Sequence, residues 1–225
     1  MTLFRDRRHA GDALAERLGR YRGSNALVLG LPRGGVVVAA QVARWLDAEL
    51  DVVVARKLGS PVSPELAIGA VTANGGRFLN EDVIAAVGVS EAYIEVVTAV
   101  QQAEARRREA DLRGPRPAPS IAGRVVILVD DGLATGATMR AAVRSVRQHR
   151  PRRLVVAVPV GAPEACRALR SEVDEVVCLH EPRDFGAVGG FYREFSQTDD
   201  ADVRALLAEA ERGGASALAS RASHP

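Results

Sequence analysis

The chain has 225 residues, of which 47% are hydrophobic and 26% are charged, and its formal net charge is +2. This length supports one sizeable core, and a charge so close to neutral gives no electrostatic reason to expect nucleic-acid binding. The opening residues, MTLFRDRRHAGD, lack an apolar signal segment, and no run of about 18 apolar residues predicts a membrane span. We therefore expect a cytoplasmic protein with neither a membrane nor a nucleic-acid partner.

Buried strands alternate with helices in the first part of the chain. Apolar residues at helical spacing predict a helix over 9–22, and the strand NALVLG, the helix VVVAAQVARWLDAEL and the strand DVVVAR follow it. Residues 59–80 mix Pro, Gly and Ser, which predicts a flexible loop followed by the strand LAIGAV. The strand–loop–helix–strand order is typical of a parallel sheet.

The same alternation continues to the end of the chain. We expect Ser90 to cap a helix that ends near Leu112, and the proline-rich segment 113–120 to be a connector. The elements expected next are the strand RVVILV, a helix over about 138–149, the strand RLVVAVPV, a helix over 163–169, the strand DEVVCL, an amphipathic helix over 199–211 and a disordered tail over 213–225. The predicted fold class is α/β, with a mostly parallel central sheet flanked by helices.

The stretch VVILVDDGLATGAT, Val125 to Thr138, is where chemistry is first indicated. Small residues let backbone N–H groups approach an anion closely, the next helix start adds its positive dipole end, and the threonines add hydroxyl donors. The stretch lacks the lysine of a P-loop. Asp130 and Asp131 would repel a phosphate unless they face another part of the ligand. A sugar with a vicinal diol and a 5-phosphate fits both halves: the phosphate lies in ATGAT, and the aspartates accept hydrogen bonds from the ribose hydroxyls.

This stretch resembles the phosphoribosyl pyrophosphate (PRPP) signature of type I phosphoribosyltransferases, in which an apolar strand, two acidic residues and a T-G-x-T loop follow one another. The resemblance implies that Asp130 and Asp131 are catalytic. It also implies that the 5-phosphate of PRPP is bound by Ala134, Thr135, Gly136, Ala137 and Thr138.

Two earlier loops resemble other parts of the same family's site. GLPRGG, Gly30 to Gly35, is similar to the pyrophosphate-binding loop. The residues that this likeness places on the pyrophosphate are Pro32, Arg33, Gly34 and Gly35. ARKLGS resembles the entrance of the catalytic loop, so Arg56 and Lys57 would meet the developing pyrophosphate charge. Lys57 is the one lysine among 30 basic residues, which fits a need for its compact ammonium.

The resemblance also implies a reaction and its partners. A phosphoribosyltransferase moves the 5-phosphoribosyl group of PRPP to a nitrogen of a nucleobase-like acceptor and releases pyrophosphate, as a magnesium-dependent pentosyltransferase of nucleotide metabolism. The Mg²⁺ is expected to be held mainly by PRPP and water, with no dedicated protein metal site. The expected partners are PRPP and a small-molecule acceptor, and the family permits a homodimer.

Residues 1–212 as a whole resemble, more narrowly, a bacterial group of predicted phosphoribosyltransferases of unassigned substrate. The segments that carry this likeness are FRDRRHAG, GLPRGGVVVA, RKLG and DFGAVGGFY. We therefore expect one domain over 1–212. Its chain ends, about 1–10 and 180–198, would form a small hood over the acceptor.

The aromatic residues of the hood leave two alternatives open. Phe185, Phe191, Tyr192 and Phe195 could stack on a flat base, or they could form a small core beneath the hood. His180, at the end of a predicted strand, could reach the acceptor pocket. Glu65 could act as a base near the acceptor, or it could be a solvated loop carboxylate.

The chain also departs from well-known branches of the family. Ala134 stands where 6-oxopurine enzymes carry a further aspartate, which weakens an assignment to hypoxanthine or guanine. LATGAT is closer to adenine phosphoribosyltransferases, but the hood does not resemble theirs. Two other functions stay open: a PRPP-sensing module that does not catalyse, and hydrolase-like or phosphorylase-like use of a ribose phosphate.

The cysteines and histidines show no pattern of a metal site. Cys166 and Cys178 lie far apart in the sequence and match no metal spacing, so they are expected to be reduced core thiols.

Overall fold

The structure is a computed structural model that describes residues 2–222, with side chains described as far as residue 213. Within these residues the strands are β1 (Leu27–Gly30), β2 (Glu49–Val52), β3 (Ala55–Gly59), β4 (Ala67–Thr72), β5 (Arg77–Leu79), β6 (Val125–Val129), β7 (Arg153–Val160) and β8 (Glu175–His180). The α-helices of the same region are α1 (Arg7–Arg17), α2 (Gly34–Leu46), α3 (Glu81–Val87), α4 (Glu91–Arg113), α5 (Ala137–Gln148), α6 (Pro163–Arg170) and α7 (Asp200–Ala222).

The central sheet contains five parallel strands in the order β2-β1-β6-β7-β8. Every position of β1 and β6 is buried, as expected of strands that helices cover on both faces. Val28 and Ile127 lie in one core with α1, α2 and α7, whereas Leu27 and Val126 lie in a second core with α5 and α6. The period-two alternation of the strands thus divides the interior in two and confirms the predicted fold class.

The winding of the central sheet reverses between β1 and β6. The chain passes from β1 through α2 to β2 on one side, whereas β6, β7 and β8 extend the sheet on the other side. In sheets of this kind, ligands bind in the crevice beyond the carboxyl ends of the strands at the point of reversal. The residues that follow β1 and β6 therefore lie where a ligand site is expected.

A separate antiparallel sheet, in the order β3-β4-β5, corrects part of the sequence prediction. DVVVAR was predicted as one strand, but β2 ends at Val52 and Ala55 begins β3 in the second sheet. The backbone leaves β1 between these points, because the Val54 N–H donates to the Glu109 carboxylate at 3.1 Å instead of to a neighbouring strand. The predicted strand LAIGAV is confirmed as β4, whereas β5 and α3 were not predicted.

Helix α4 connects the two sheets. Its predicted cap is confirmed, because the Ser90 hydroxyl oxygen accepts from the Tyr93 N–H at 3.3 Å. At its other end Arg113 donates to the Asp51 carboxylate of β2 at 2.8 Å and to Glu109 at 3.0 Å. Burial raises the pKa of Asp51, and the charge of Arg113 opposes that shift. This ion-paired cluster fixes the C-terminal end of α4 on the edge of the central sheet.

The last helix is longer than the sequence pattern indicated. The prediction placed a helix over 199–211 and a disordered tail over 213–225, whereas α7 continues to Ala222. Residues 223–225, the rest of the predicted tail, lie outside the described residues. Over residues 2–222, no helix combines the length and the apolar character needed to cross a membrane.

The Asp6→Ala variant tests the cap that begins α1. The Asp6 carboxylate accepts from the His9 N–H at 2.8 Å, and this bond, together with Arg5, lowers the pKa of Asp6 below its ordinary 3.8. We expect the variant to lose about 1 kcal/mol of unfolding free energy at neutral pH, measured by urea denaturation. A lowered pKa stabilises the fold above the ordinary value, so the difference should vanish as the pH falls through the lowered pKa. Asp12→Ala, on the exposed side of the same helix, is the control; a pH-independent loss at Asp6 would contradict the prediction.

Candidate active site

The loop after β1 and the loop after β6 meet with no side chain between them. A Cβ atom on Gly34 would lie 2.0 Å from an Asp131 carboxylate oxygen, and one on Gly35 would lie 2.8 Å from an Asp130 carboxylate oxygen. At Gly35 the same Cβ would also lie 2.9 Å from the Asp130 Cα and from the Val129 carbonyl oxygen, so backbone excludes it, whereas at Gly34 the side chains of Asp131 and Arg7 would have to move. The structure therefore brings together the two glycines and the two aspartates that the sequence singled out separately.

The two aspartates differ in their electrostatic environment. Asp131 accepts from the Nε of Arg7 at 2.7 Å, and both side chains are largely buried. The Asp130 carboxylate accepts from the Asp131 backbone N–H at 2.8 Å. Burial, and then the adjacent charge of Asp131, raise the pKa of Asp130 well above its ordinary value. One carboxylate is thus neutralised by a fixed cation, and the other retains a proton more readily.

Arg7 is a site residue that the sequence analysis did not single out. Besides Asp131, it donates to the backbone carbonyl of Ser196 at 2.7 Å, and its guanidinium lies 3.8 Å from the centre of the Phe195 ring. It therefore joins α1, the acidic pair and the segment before α7. The segment FRDRRHAG was part of the family resemblance. Local sequence cannot indicate, however, which of its arginines contacts an aspartate 124 residues away.

The segment between β6 and α5 forms a loop with an open helix start. Gly136 adopts a left-handed conformation with φ of 76° at the N-cap of α5, and no side chain caps the helix. Its first N–H groups are therefore available to an anion. Ala134 and Thr135 are exposed at the same turn. The Leu133 N–H donates to the Val160 carbonyl at 2.9 Å, which fixes the loop to the end of β7.

A cavity of about 510 Å³ joins the antiparallel sheet to this loop. Arg56 and Lys57 of β3 line it together with Thr138 of α5 and Tyr93 of α4. The structure thus brings the two predicted catalytic-loop cations to the last residue of the signature. The acidic pair does not line this cavity; it lies at the glycine turn.

Both cations of β3 have polar partners. Lys57 donates to the Glu65 carboxylate at 2.9 Å, and Arg56 donates to the Gln101 side chain at 3.2 Å. The Glu65 side chain is 92% exposed, and such surface ion pairs contribute at most about 1 kcal/mol. A stronger anion could therefore replace Glu65 at Lys57.

Pro32 and Arg33, the other predicted pyrophosphate-loop residues, lie directly before the glycine pair. The guanidinium of Arg33 is partly exposed and lies 3.9 Å from the Asp200 carboxylate, which also accepts from Arg108 at 2.8 Å. The Arg33 side chain is therefore only weakly held at the exposed side of the loop after β1.

The two ends of the domain meet beside the acidic pair. Phe4 forms a parallel bridge with Tyr192, whose hydroxyl donates to the Asp131 backbone carbonyl at 2.5 Å. Phe191 and Tyr192 are only 9% and 5% exposed and pack with Phe4 in a small core. Their burial favours the second alternative for these two rings, a core beneath the hood.

Two further aromatic rings and one histidine of the hood have surfaces that a ligand can reach. Phe185 is partly buried against Phe191, and Phe195 is 38% exposed. His180 is exposed and lies edge-on to Phe4 with ring centres 5.7 Å apart.

Fold and site together define a class of protein. Residues 6–196 match the family described as the phosphoribosyl transferase domain, and the chain belongs to that family. Its mostly parallel sheet and flanking helices are the type I phosphoribosyltransferase fold.

Individual relatives support the same family. Two Mycobacterium tuberculosis proteins, from strains CDC 1551 / Oshkosh and H37Rv, carry the provisional name phosphoribosyl transferase and are each 46% identical over 217 residues, which is 96% of this chain. The alignment covers 49% of each relative, so the chain spans about half the length of the curated relatives it matches. The crystal structure of TT1426 from Thermus thermophilus is 49% identical, with a TM-score of 0.79, and the match covers 92% of this chain and 99% of that one.

The Gly34→Ala variant tests the contact between the glycine turn and the acidic pair. The new methyl group would overlap an Asp131 oxygen and the Arg7 guanidinium, so we expect a loss of about 1–3 kcal/mol of unfolding free energy. Chemical denaturation measures it. Gly186→Ala is the matched control, because a Cβ there meets no atom within 4 Å. Equal stability of both variants would show that the two turns separate freely.

Proposed function

We propose that this protein transfers the 5-phosphoribosyl group of PRPP to a nitrogen acceptor and releases pyrophosphate. The observation that carries the proposal is the meeting of Gly34 and Gly35 with Asp130 and Asp131 at the point where the sheet reverses. A ribose diol flanked by two phosphate groups needs hydrogen-bond acceptors for its hydroxyls, placed between two anion-binding sites. The loops after β1 and β6 offer such an arrangement.

The residues of the signature would hold the sugar and its phosphate. Asp130 and Asp131 accept hydrogen bonds from the two ribose hydroxyls through their carboxyl oxygens, which keep an acceptor site even where the carboxyl holds a proton. The 5-phosphate lies on the open N–H groups at the start of α5, with the hydroxyls of Thr135 and Thr138 as further donors. Arg7 keeps the charge of Asp131 compensated, so that the site does not repel an anionic substrate.

The leaving group would lie between the glycine turn and β3. Gly34 and Gly35 begin α2, which no side chain caps, so their N–H groups can donate to the leaving group, and Arg33 lies beside them. Arg56 and Lys57 approach from the antiparallel sheet. As the bond between C1 and the pyrophosphate oxygen breaks, negative charge grows on that oxygen, and these cations stabilise it. The acceptor nitrogen forms its bond to C1 from the opposite face, where the hood excludes water.

Magnesium is part of this proposal. The acidic pair provides carboxylate oxygens, the hard ligands that Mg²⁺ prefers, and would hold the ion mainly through water and through the substrate. When bound, Mg²⁺ supplies positive charge to the pyrophosphate oxygens.

The acceptor side of the proposal rests on the hood. We propose that residues 1–10 and 180–198 cover the acceptor, as parts of one domain over 1–212. The partly exposed ring of Phe185 is the candidate for stacking on a planar base, since Phe191 and Tyr192 are engaged in the hood core and the Phe195 ring contacts Arg7 and Tyr192. Ala134 in the signature supplies no carboxylate to an acceptor.

Calorimetric titration with PRPP, with and without Mg²⁺, tests the binding site. We expect saturable binding that Mg²⁺ strengthens and that the Asp130→Asn/Asp131→Asn double variant loses by about 100-fold or more, because two charge-assisted acceptors are removed. Asp12→Asn, an exposed change on α1, is the control, and thermal melting verifies that both variants fold. A folded wild-type protein that does not bind PRPP would overturn the proposal. Binding without turnover across a panel of nitrogen acceptors would instead favour a PRPP sensor.

The Lys57→Ala variant separates binding from catalysis. If Lys57 stabilises charge that develops on the leaving group, its loss should lower kcat by about 100-fold while the Kd for PRPP changes little. Pyrophosphate release with an acceptor from the panel measures kcat. Lys57→Arg should restore part of the rate because it keeps the charge, and Glu65→Gln controls for the lost surface ion pair. A weaker Kd with unchanged kcat would assign Lys57 to ground-state binding only.

A further inference from the structure

Two cysteines and a glutamate converge at the carboxyl end of β8, away from the residues assigned above. Cys166 belongs to α6, Cys178 to β8, and Glu181 follows β8 directly. Both sulfur atoms and a carboxylate oxygen lie within 4.8 Å of one another. The cysteines were predicted to be core thiols without metal spacing; the fold brings them together, and only Cys166 is fully buried. The sequence could not indicate this, because the pairing depends on how α6 packs on β8.

The three side chains define a candidate site that backbone closes on one side and that is partly exposed on the other. Gly161 forms the floor: a Cβ there would lie 2.5 Å from the Cys166 sulfur and 3.3 Å from the Cys178 sulfur. Cys178 and Glu181 are partly exposed, so an ion and a water molecule can enter from solvent. The Cys178 thiol now donates to the His180 backbone carbonyl at 3.1 Å, which places its sulfur at the rim.

Arg170 holds the glutamate in place. It donates to Glu181 through both terminal nitrogens, one of them 3.3 Å from a carboxylate oxygen. Carboxylates that bind metals are commonly oriented by such an outer partner. With both thiols ionised, the three ligands carry three negative charges, and Arg170 compensates one. A divalent cation would compensate the other two.

We propose that Cys166, Cys178 and Glu181 bind a zinc ion, with water as the fourth ligand. Thiolate sulfur is a soft ligand that selects zinc over magnesium or calcium, and two thiolates with one carboxylate lie within zinc's usual ligand set. Tetrahedral Zn–S bonds of about 2.3 Å would place the sulfur atoms roughly 3.8 Å apart, which is compatible with ligand atoms that all lie within 4.8 Å of one another.

Bound zinc would hold α6 against β8, next to the loop between β6 and α5 that is the proposed binding site of the 5-phosphate. Gly161, the floor of the zinc site, forms a parallel bridge with Leu133 of that loop, and a Cβ on Gly136 would lie 3.5 Å from that of Ala165, next to Cys166. An ion that ties α6 to β8 would therefore limit movement of the structure on which the loop rests. The zinc site does not depend on the proposed reaction, and its tests use no PRPP.

Metal analysis of the full chain, purified with zinc and dialysed, tests the proposal. We expect about one zinc per chain, removable by a chelator, and a thiolate-to-metal charge-transfer absorption when Co²⁺ replaces zinc. Cys166→Ala and Cys178→Ala should lose both signals, and Glu181→Gln should weaken zinc binding by at least about tenfold. Glu164→Gln, an exposed change on the same helix, should bind zinc as the wild type does.

Alkylation of the wild-type thiols provides a test that needs no variant. Bound zinc should slow the reaction of Cys178, the partly exposed thiol, with iodoacetamide by about tenfold or more, and a chelator should restore the rate. Absence of zinc from a folded, reduced chain would overturn the proposal, as would equal alkylation rates with and without zinc. A disulfide between Cys166 and Cys178 that forms while zinc is present would overturn it as well.

Discussion

Two turns of backbone, at Gly34–Gly35 and at Asp130–Asp131, touch because neither glycine carries a side chain. The contact is possible because β1 and β6 are neighbours in the central sheet and both end at the same edge. It fixes where the acidic pair can point, and it leaves Arg7 as the cation that compensates Asp131. Arg33 takes its position from the same contact, whereas the loop that leads to the open start of α5 is fixed to the end of β7 by the Leu133 N–H.

The local pattern of the chain predicted most of the central architecture. Buried strands of four or five apolar residues, each followed by a helix with an apolar face, determine a parallel sheet with little ambiguity, and the signature around Asp130 lies at the turn where it was expected. The separate antiparallel sheet was not predicted. VVVAR contains no turn residue, so nothing in these residues indicates that the chain leaves β1 after Val53. In the structure the Glu109 carboxylate of α4, and not a neighbouring strand, accepts from the Val54 N–H.

Contacts between distant segments account for what the sequence left open. The aromatic residues of the hood had two possible roles, and only the packing of Phe4 against Tyr192 shows which rings are enclosed. The same reason explains why Arg7 and the pair of cysteines were not singled out. Each depends on two elements that meet in space, and a periodic pattern carries information about one element at a time.

The placement of Lys57 on the antiparallel sheet has a consequence for how relatives of this protein can diverge. Residues 53–120 leave the parallel sheet after β2 and rejoin it only at β6, so they form an insertion between two strands of an otherwise regular winding. Length changes in the turn over 60–66 alter neither the register of the five parallel strands nor the two turns that meet at the acidic pair. The turn next to the strand that carries the lysine can therefore change in length between homologues while the two turns at the acidic pair stay in place.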